Sequence, residues 1–336
     1  MTECYSQSDR RHLLTDWGAV SYDTALLHLV DEGLASLSNA EISSLVGALR
    51  WIGEDQPAGR PGRRSTRRRQ RGYKRVPDGL LVWVGLARVV HGTNAVPLAL
   101  GQVRTALSSI AQALRVAPAV VYRARVYRLD TAANLVVSRR PSAYLRSLVY
   151  VPRATRDMPT PHSLLFTNGQ RQLAFYDKLA QLVETKQGVP KALQDLHLLR
   201  YELRLTGGLG REIAPPVPGS RLIAQDLAEA AVYRRAVTVW RERFETVETQ
   251  LTPDINEPRD VRSLVRNLAA AQVAAVGAPA LIEAVYALHA DGLTSTDMRR
   301  KQRDKVLALA ASAPSTDSLV AELQAAVDRA AALSLP

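Results

Sequence analysis

The stretch SLLFTNGQRQLAFYDKLAQLVE at Ser163–Glu184, followed by LLRYELRL at Leu198–Leu205, decides how the rest of the chain is read. Asn168-Gly169 stands between two apolar-rich runs, and this dipeptide accepts the positive φ angles of a type I′ turn, the strongest short hairpin signal. Leu164–Thr167 and Gln170–Tyr176 are therefore expected as paired antiparallel strands. Side chains alternate along a strand, so Leu173 and Phe175 face one way while Gln172, Ala174 and Tyr176 face the other. Tyr176 leaves the apolar face just where Leu179, Leu182 and Val183 take up helical spacing, with Asp177 suited to the positive end of the helix dipole.

The same alternation recurs twice. In the segment Arg200–Leu205, Arg200, Glu202 and Arg204 share one face and Tyr201, Leu203 and Leu205 the other, as in a half-buried strand. In RVYRLDT, Arg128 and Asp130 lie opposite Tyr127 and Leu129. If the three strands belong to one sheet, Asp130, Glu202 and Tyr176 converge on its polar face, two carboxylates suited to a divalent metal beside a phenol suited to nucleophilic attack. Taken singly, each of these has a plainer reading: Tyr176 as an amphipathic cap on the core, and the acids as cross-strand partners of Arg128, Arg200 and Arg204 on a solvated sheet face.

At 336 residues the chain is long enough for a sizeable core and two domains. Its 44 basic residues against 32 acidic give a net charge of +12, which points to polyanionic partners. Nucleic acid leads membrane among these, because no long uncharged apolar span occurs. The N-terminal MTECYSQSDRRHLL lacks the apolar core of a signal peptide, and the single cysteine, Cys4, suits a reducing compartment, so a cytoplasmic location is expected. The six histidines show no metal-ligand spacing.

From the N-terminus, Ala19–Val30 reads as a strand and Ser38–Trp51 as a helix capped by Ser38 or Asn39 ahead of Glu41. The most biased segment, GRPGRRSTRRRQRGYKRVP at 59–77, is too rich in arginine, glycine and proline to pack in a core. The plainer reading is a solvated, mobile loop of the sheet domain; the favoured one is an arm whose Arg63, Arg64, Arg67, Arg68, Arg69 and Arg71 grip DNA phosphates. Gly79–Val90 is a long apolar strand candidate followed by the turn HGTN at 91–94, where His91, next to Gly92 and Asn94, is a candidate to touch a metal or phosphate, although a lone histidine in a turn is more often incidental. Val96–Val116 reads as an amphipathic helix, Ala119–Val137 as a strand, and Pro141–Ser147 as a helical turn. From about Pro215 the chain becomes alanine-rich and helical over Arg221–Gln250, Pro258–Val276, Ala278–Ala290 and Ser318–Leu333; the basic helix in ADGLTSTDMRRKQRDKVLAL, capped by Thr294 or Ser295, resembles the helical part of a DNA-binding module, although structural support is the plainer role for each helix taken singly. The expected division is a sheet domain over 1–215, carrying the arginine-rich loop, and a helical domain over 216–336.

The order HGTN, R-L-D, a hairpin ending in FYDK, then RYELRL resembles the replication initiators of filamentous phages (the II/X type) over roughly residues 79–205, and more distantly the plasmid rolling-circle initiators. The resemblance implies an α+β fold related to the HUH endonucleases, a central antiparallel sheet with helices on one face. It implies that Tyr176 is a nicking nucleophile assisted by Lys178, with Asp130 and Glu202 holding Mg²⁺ or Mn²⁺ and Arg128, Arg200 and Arg204 contacting DNA. The product would be a 5′-phosphotyrosine link and a free 3′-hydroxyl on a single-stranded or hairpin origin, with a host helicase and polymerase as further partners. The chain departs from the family in lacking the paired histidines and in carrying Gln181 where a glutamate often follows the tyrosine by five residues. The alternative is a basic DNA-binding protein without catalysis, a repressor or degenerate initiator. A tyrosine recombinase ranks last, since its tyrosine lies late in a helical domain.

Overall fold

The computed structural model describes residues 18–48, 73–185, 188–213, 221–249, 278–290, 295–312 and 316–334, with a few residues between 265 and 273. The strands run β1 (Ser21–Val30), β2 (Tyr73–Val76), β3 (Gly79–Gly85), β4 (Arg125–Val137), β5 (Leu148–Tyr150), β6 (Thr155–Thr160), β7 (Ser163–Asn168), β8 (Arg171–Asp177) and β9 (His197–Leu205). All but β5 join one sheet in the order β2-β3-β1-β4-β9-β8-β7-β6. Every pairing in it is antiparallel. The coarse expectation of an α+β fold around a large antiparallel sheet therefore holds.

The hairpin that organises the sequence forms with its turn one residue later than expected. Asn168 pairs with Arg171, so Gly169 and Gln170 make the turn, and Gly169 alone takes a positive φ, 47°. Alternation along β8 is as read: Phe175 stacks on Tyr201 of β9 with ring centroids 4.7 Å apart, whereas Tyr176 faces the other side. Behind the apolar face lies the helix Ala230–Phe244, whose Trp240 packs on Tyr201 at 4.7 Å and whose Phe244 lies 5.5 Å from the same ring. Tyr201 donates its hydroxyl proton to the Trp240 carbonyl at 3.0 Å and the Trp240 indole N–H donates to the Tyr201 carbonyl at 3.4 Å, so both polar atoms of this aromatic layer are satisfied.

Helices pack on both faces of the sheet rather than on one. The short helix Lys178–Glu184 folds back from β8, and its Leu182 joins Leu198, Leu193 and Ala95 in a second apolar cluster with Val136 beside it. Val136 and Leu198 are opposed in register and share the face of Asn134 and Arg200 two residues away on each strand. The polar face is thus closed off at this end by its own helix and by the loop around Ala95. As a result β9 is buried on both sides, not half-buried.

Three long expected elements are divided. The run Gly79–Val90 leaves the sheet at Gly85 and coils into the helix Leu86–His91, which Gly92 ends at φ 72° by donating its N–H to the Arg88 carbonyl. The helix expected over 96–116 is a 3₁₀ turn, Leu100–Gln102, and a helix, Val103–Leu114. The strand expected from Ala119 begins at Arg125, after the short helix Pro118–Tyr122 that Pro118 opens. Proline does not keep 152–162 out of the sheet: Thr155–Thr160 is its edge strand, where a missing N–H is tolerated.

The chain forms two compact units, 1–145 with 150–248 and 324–336, and 146–149 with 249–323. The first holds the sheet, the helix Ala230–Phe244 and the end of the last helix, Thr316–Ser334; the second holds the helices Ala278–Ala290 and Thr296–Ser312. The division expected near residue 215 differs because Tyr233, Trp240 and Phe244 are core residues of the sheet unit. The arginines at 63, 64, 67, 68, 69 and 71, and most of the helix expected over 258–276, lie outside the described residues.

Candidate functional site

Strand register brings the predicted polar residues together. Asp130 of β4 lies opposite Arg204 of β9, and Asn134 opposite Arg200. On the other flank of β9, Gln172 of β8 lies opposite Arg204 and Tyr176 opposite Arg200. Arg128 grips Asp130 through two bonds, Nε to Oδ1 at 2.7 Å and Nη2 to Oδ2 at 2.6 Å. Arg204 donates Nε to Glu202 Oε1 at 2.7 Å and Nη1 to Gln172 Oε1 at 2.8 Å, and stands 4.0 Å from Asp130. Arg204 is therefore the bridge between the two carboxylates. Tyr176 donates its hydroxyl to Glu202 Oε2 at 3.1 Å. Asp130, Glu202 and Arg200 are buried, whereas the Arg128 side chain keeps 21% of its surface and Arg204 12%. The two shallower guanidiniums roof the site.

Beneath them lies a second layer, in which Asp23 and Asn134, two residues the sequence did not single out, join the expected Arg200 and Lys178. Asp23 places its carboxylate 2.9 Å from Arg200 Nη2, from a position where the β1–β4 register shifts between Tyr22 and Thr24. Arg200 also donates Nη1 to Asn134 Oδ1 at 3.0 Å and to the Asn94 carbonyl at 3.2 Å. The Asn94 side chain accepts from Lys178 Nζ at 2.7 Å, and Asn134 Nδ2 donates to the Ala95 carbonyl at 2.8 Å. Lys178 is wholly buried, its ammonium also bonded to Gln181 Oε1 at 2.7 Å and 6.0 Å from the centre of the Tyr176 ring. The HGTN loop thus reaches the site through Asn94. His91 Nε2 has no hydrogen-bond partner among the described residues. Asp23 had one signal in the sequence, a lone carboxylate inside an apolar strand, which folds only if a cation meets it.

The charges set unequal protonation equilibria. Burial pushes the Tyr176 phenol well above its usual value, and the Glu202 charge pushes the same way against Arg200. Burial acts upward on Glu202 too, but Arg204 and then Arg200 overcome it and hold this carboxyl well below the usual range. For Asp130 burial prevails over Arg128, and its carboxyl is raised to about 7. Of two acids that share one guanidinium, Glu202 stays ionised and Asp130 is the one that takes up a proton near neutrality.

The implied Mg²⁺ or Mn²⁺ can be tested against this donor set. Both oxygens of Asp130 accept from Arg128, and the two of Glu202 accept from Arg204 and Tyr176. Arg204 occupies the space a bridging cation would need, so the arrangement as it stands does not fit a divalent ion. Among the described residues no cluster of three or more His, Cys, Asp or Glu is placed to hold a metal.

A separate open groove of about 520 Å³ is lined by His162, Leu179, Val183 and Val189, with Val183 projecting into solvent. None of the polar network lines it. No helix among the described residues is long and apolar enough to cross a membrane.

Fold and site together define an α+β protein whose antiparallel sheet carries a buried arginine, carboxylate and tyrosine network on one face. No protein-family model matches the chain, and no curated protein matches it.

Proposed function

We propose that the chain is a DNA nicking-joining protein of rolling-circle replication that uses Tyr176 as its nucleophile. The observation that carries this reading is the hydrogen bond from the Tyr176 hydroxyl to Glu202 within a cluster of three arginines. The resemblance to filamentous-phage initiators supports it, as does a central antiparallel sheet compatible with the HUH-like core that the resemblance implies. In the proposed reaction the phenol oxygen attacks a backbone phosphorus, an O–P bond to Tyr176 forms, and the bond from phosphorus to the 3′-oxygen breaks. Glu202 orients the hydroxyl through its hydrogen bond, the phenol proton passes to water, and the leaving 3′-oxygen is protonated in turn, by Asp130 or by water. The products are a 5′-phosphotyrosine and a 3′-hydroxyl that a host polymerase can extend after helicase unwinding, and reversal rejoins the strand. Arg128 and Arg204, which retain surface, would balance the charge that grows on the phosphoryl oxygens. Lys178 adds positive charge near the ring that favours the phenolate. To bind here, Mg²⁺ or Mn²⁺ would first have to displace Arg128 from Asp130 or Arg204 from Glu202.

One observation favours the second reading, a DNA-binding protein without catalysis such as a repressor or degenerate initiator. The phenol is driven away from ionisation and the carboxylates are held in ion pairs, the resting state of a structural network. The test is incubation of the parent and Tyr176→Phe with single-stranded and hairpin oligonucleotides, with Mg²⁺, Mn²⁺ or EDTA, and denaturing electrophoresis for a covalent complex. An adduct made by the parent and absent from the variant establishes the nucleophile. Salt-sensitive binding with no adduct on any strand selects the second reading.

A further inference from the structure

The helix Thr296–Ser312 in the second unit carries RRKQRDK at 299–305, five cations and one acid in seven residues. Two of the cations are accounted for: Arg299 stacks over Tyr286 of the preceding helix at 5.2 Å, and Arg303 is bonded to Asp304 at 2.8 Å. The Arg299 contact holds the helix against its neighbour, and the Ser295 hydroxyl caps its start by accepting the Met298 N–H at 3.2 Å. Arg300, Lys301 and Lys305 remain exposed, with no hydrogen bond or ion pair to any described residue. Lys301 and Lys305 are one turn apart, where like charges repel, while Asp297 and Asp304 stand one turn from Lys301 and Arg300 without forming an ion pair with them.

We propose that this helix face is a second nucleic-acid contact, in which Arg300, Lys301 and Lys305 hold the phosphate backbone of duplex DNA. At about 100° per residue the three side chains fall within an arc of about 140° and span about 7.5 Å along the axis, dimensions that a B-DNA major groove about 12 Å wide admits. A membrane surface fits less well. The exposed apolar residues of this helix, Met298 and Leu307, are nine positions apart and so project to opposite sides, leaving no single stripe to enter a bilayer. The choice of DNA rests on the reading of the sheet site above, but the contact itself uses neither Tyr176 nor its network.

The test is fluorescence anisotropy of the full chain with a labelled 30-base-pair duplex across a salt series, comparing the parent with the triple variant Arg300→Ala, Lys301→Ala, Lys305→Ala. Alanine is the best helix former, so the variant keeps the helix, and circular dichroism melting verifies that. The expected result is at least tenfold weaker binding near 0.1 M salt and a salt slope smaller by about 2 to 3, with Arg300→Lys close to the parent. Unchanged affinity and slope in the folded triple variant overturn the proposal, as does loss of binding to phosphatidylserine vesicles with duplex binding intact. The readout is binding and not cleavage, so a chain that forms no Tyr176 adduct still decides this proposal, and a failed helix leaves the adduct test standing.

Discussion

Arg200 is the residue on which the network turns. It is met by Asp23, Asn134 and the Asn94 carbonyl, and it lies 3.8 Å from Glu202. Arg200→Ala strands the Asp23 carboxylate in the interior, and a loss of about 3 to 5 kcal/mol is expected in urea unfolding. Tyr176→Phe removes one hydrogen bond and keeps the ring, a cost of about 1 kcal/mol, so loss of an adduct in that variant would not be a folding defect. The two carboxylates give opposite pH responses. Glu202 is depressed in the folded protein from an ordinary 4.5, so its contribution to stability is present above that pH and lost as pH falls below it. Asp130 is raised from an ordinary 3.8 to about 7, so its contribution is present below 3.8 and lost as pH rises through 7. Thermal midpoints measured from pH 3 to 8 should therefore show a shallower acid limb in Glu202→Gln and a flatter decline toward neutrality in Asp130→Asn.

At the scale of elements, two backbone positions test how the sheet is held. Gly79 has φ 155° and an added Cβ would lie 1.9 Å from the Leu29 carbonyl oxygen, a clash with backbone that cannot swing away. Gly79→Ala should thus open the end of the β1–β3 pairing and cost upward of about 2 kcal/mol. Gly169 has φ 47° but open space around it, so Gly169→Ala pays strain alone, about 1 kcal/mol. Chemical denaturation separates the two. The Asn-Gly signal found this hairpin but set its turn one residue early, because the pairing of Asn168 with Arg171 is decided by register across β7, β8 and β9 together. Gly79–Val90 misled in another way: apolar strand and buried short helix share the same composition, and the glycines at 85 and 92 mark the break.

For the whole molecule, the end of the chain belongs to the start of the sheet. Ser334 Oγ accepts the Val20 N–H at 2.7 Å, Tyr233 donates its hydroxyl to the Val20 carbonyl at 2.5 Å, and Val327, Ala330 and Ala331 are buried. Deletion of residues 324–336 should expose this apolar surface and the Val20 N–H, and lower the melting midpoint of the sheet unit by on the order of 10 °C in calorimetry. A sequence division near residue 215 does not include that tail, since contacts more than 300 residues apart leave no local pattern.

The sequence by itself determined the α+β class, the hairpin, and which residues of β4, β8 and β9 share the polar face, because a strand repeats every two residues wherever it lies in the fold. It also supplied the identity of the acids, arginines and tyrosine on that face. Only the tertiary structure decided that the face is buried, that Asp23 and Asn134 complete it, and that Arg204 stands between Asp130 and Glu202. Those facts follow from strand order and from the helix and loop that cover the sheet. Pairing between segments as distant as Asp23 and Arg200 is set by the packing of the whole chain and has no periodicity to read.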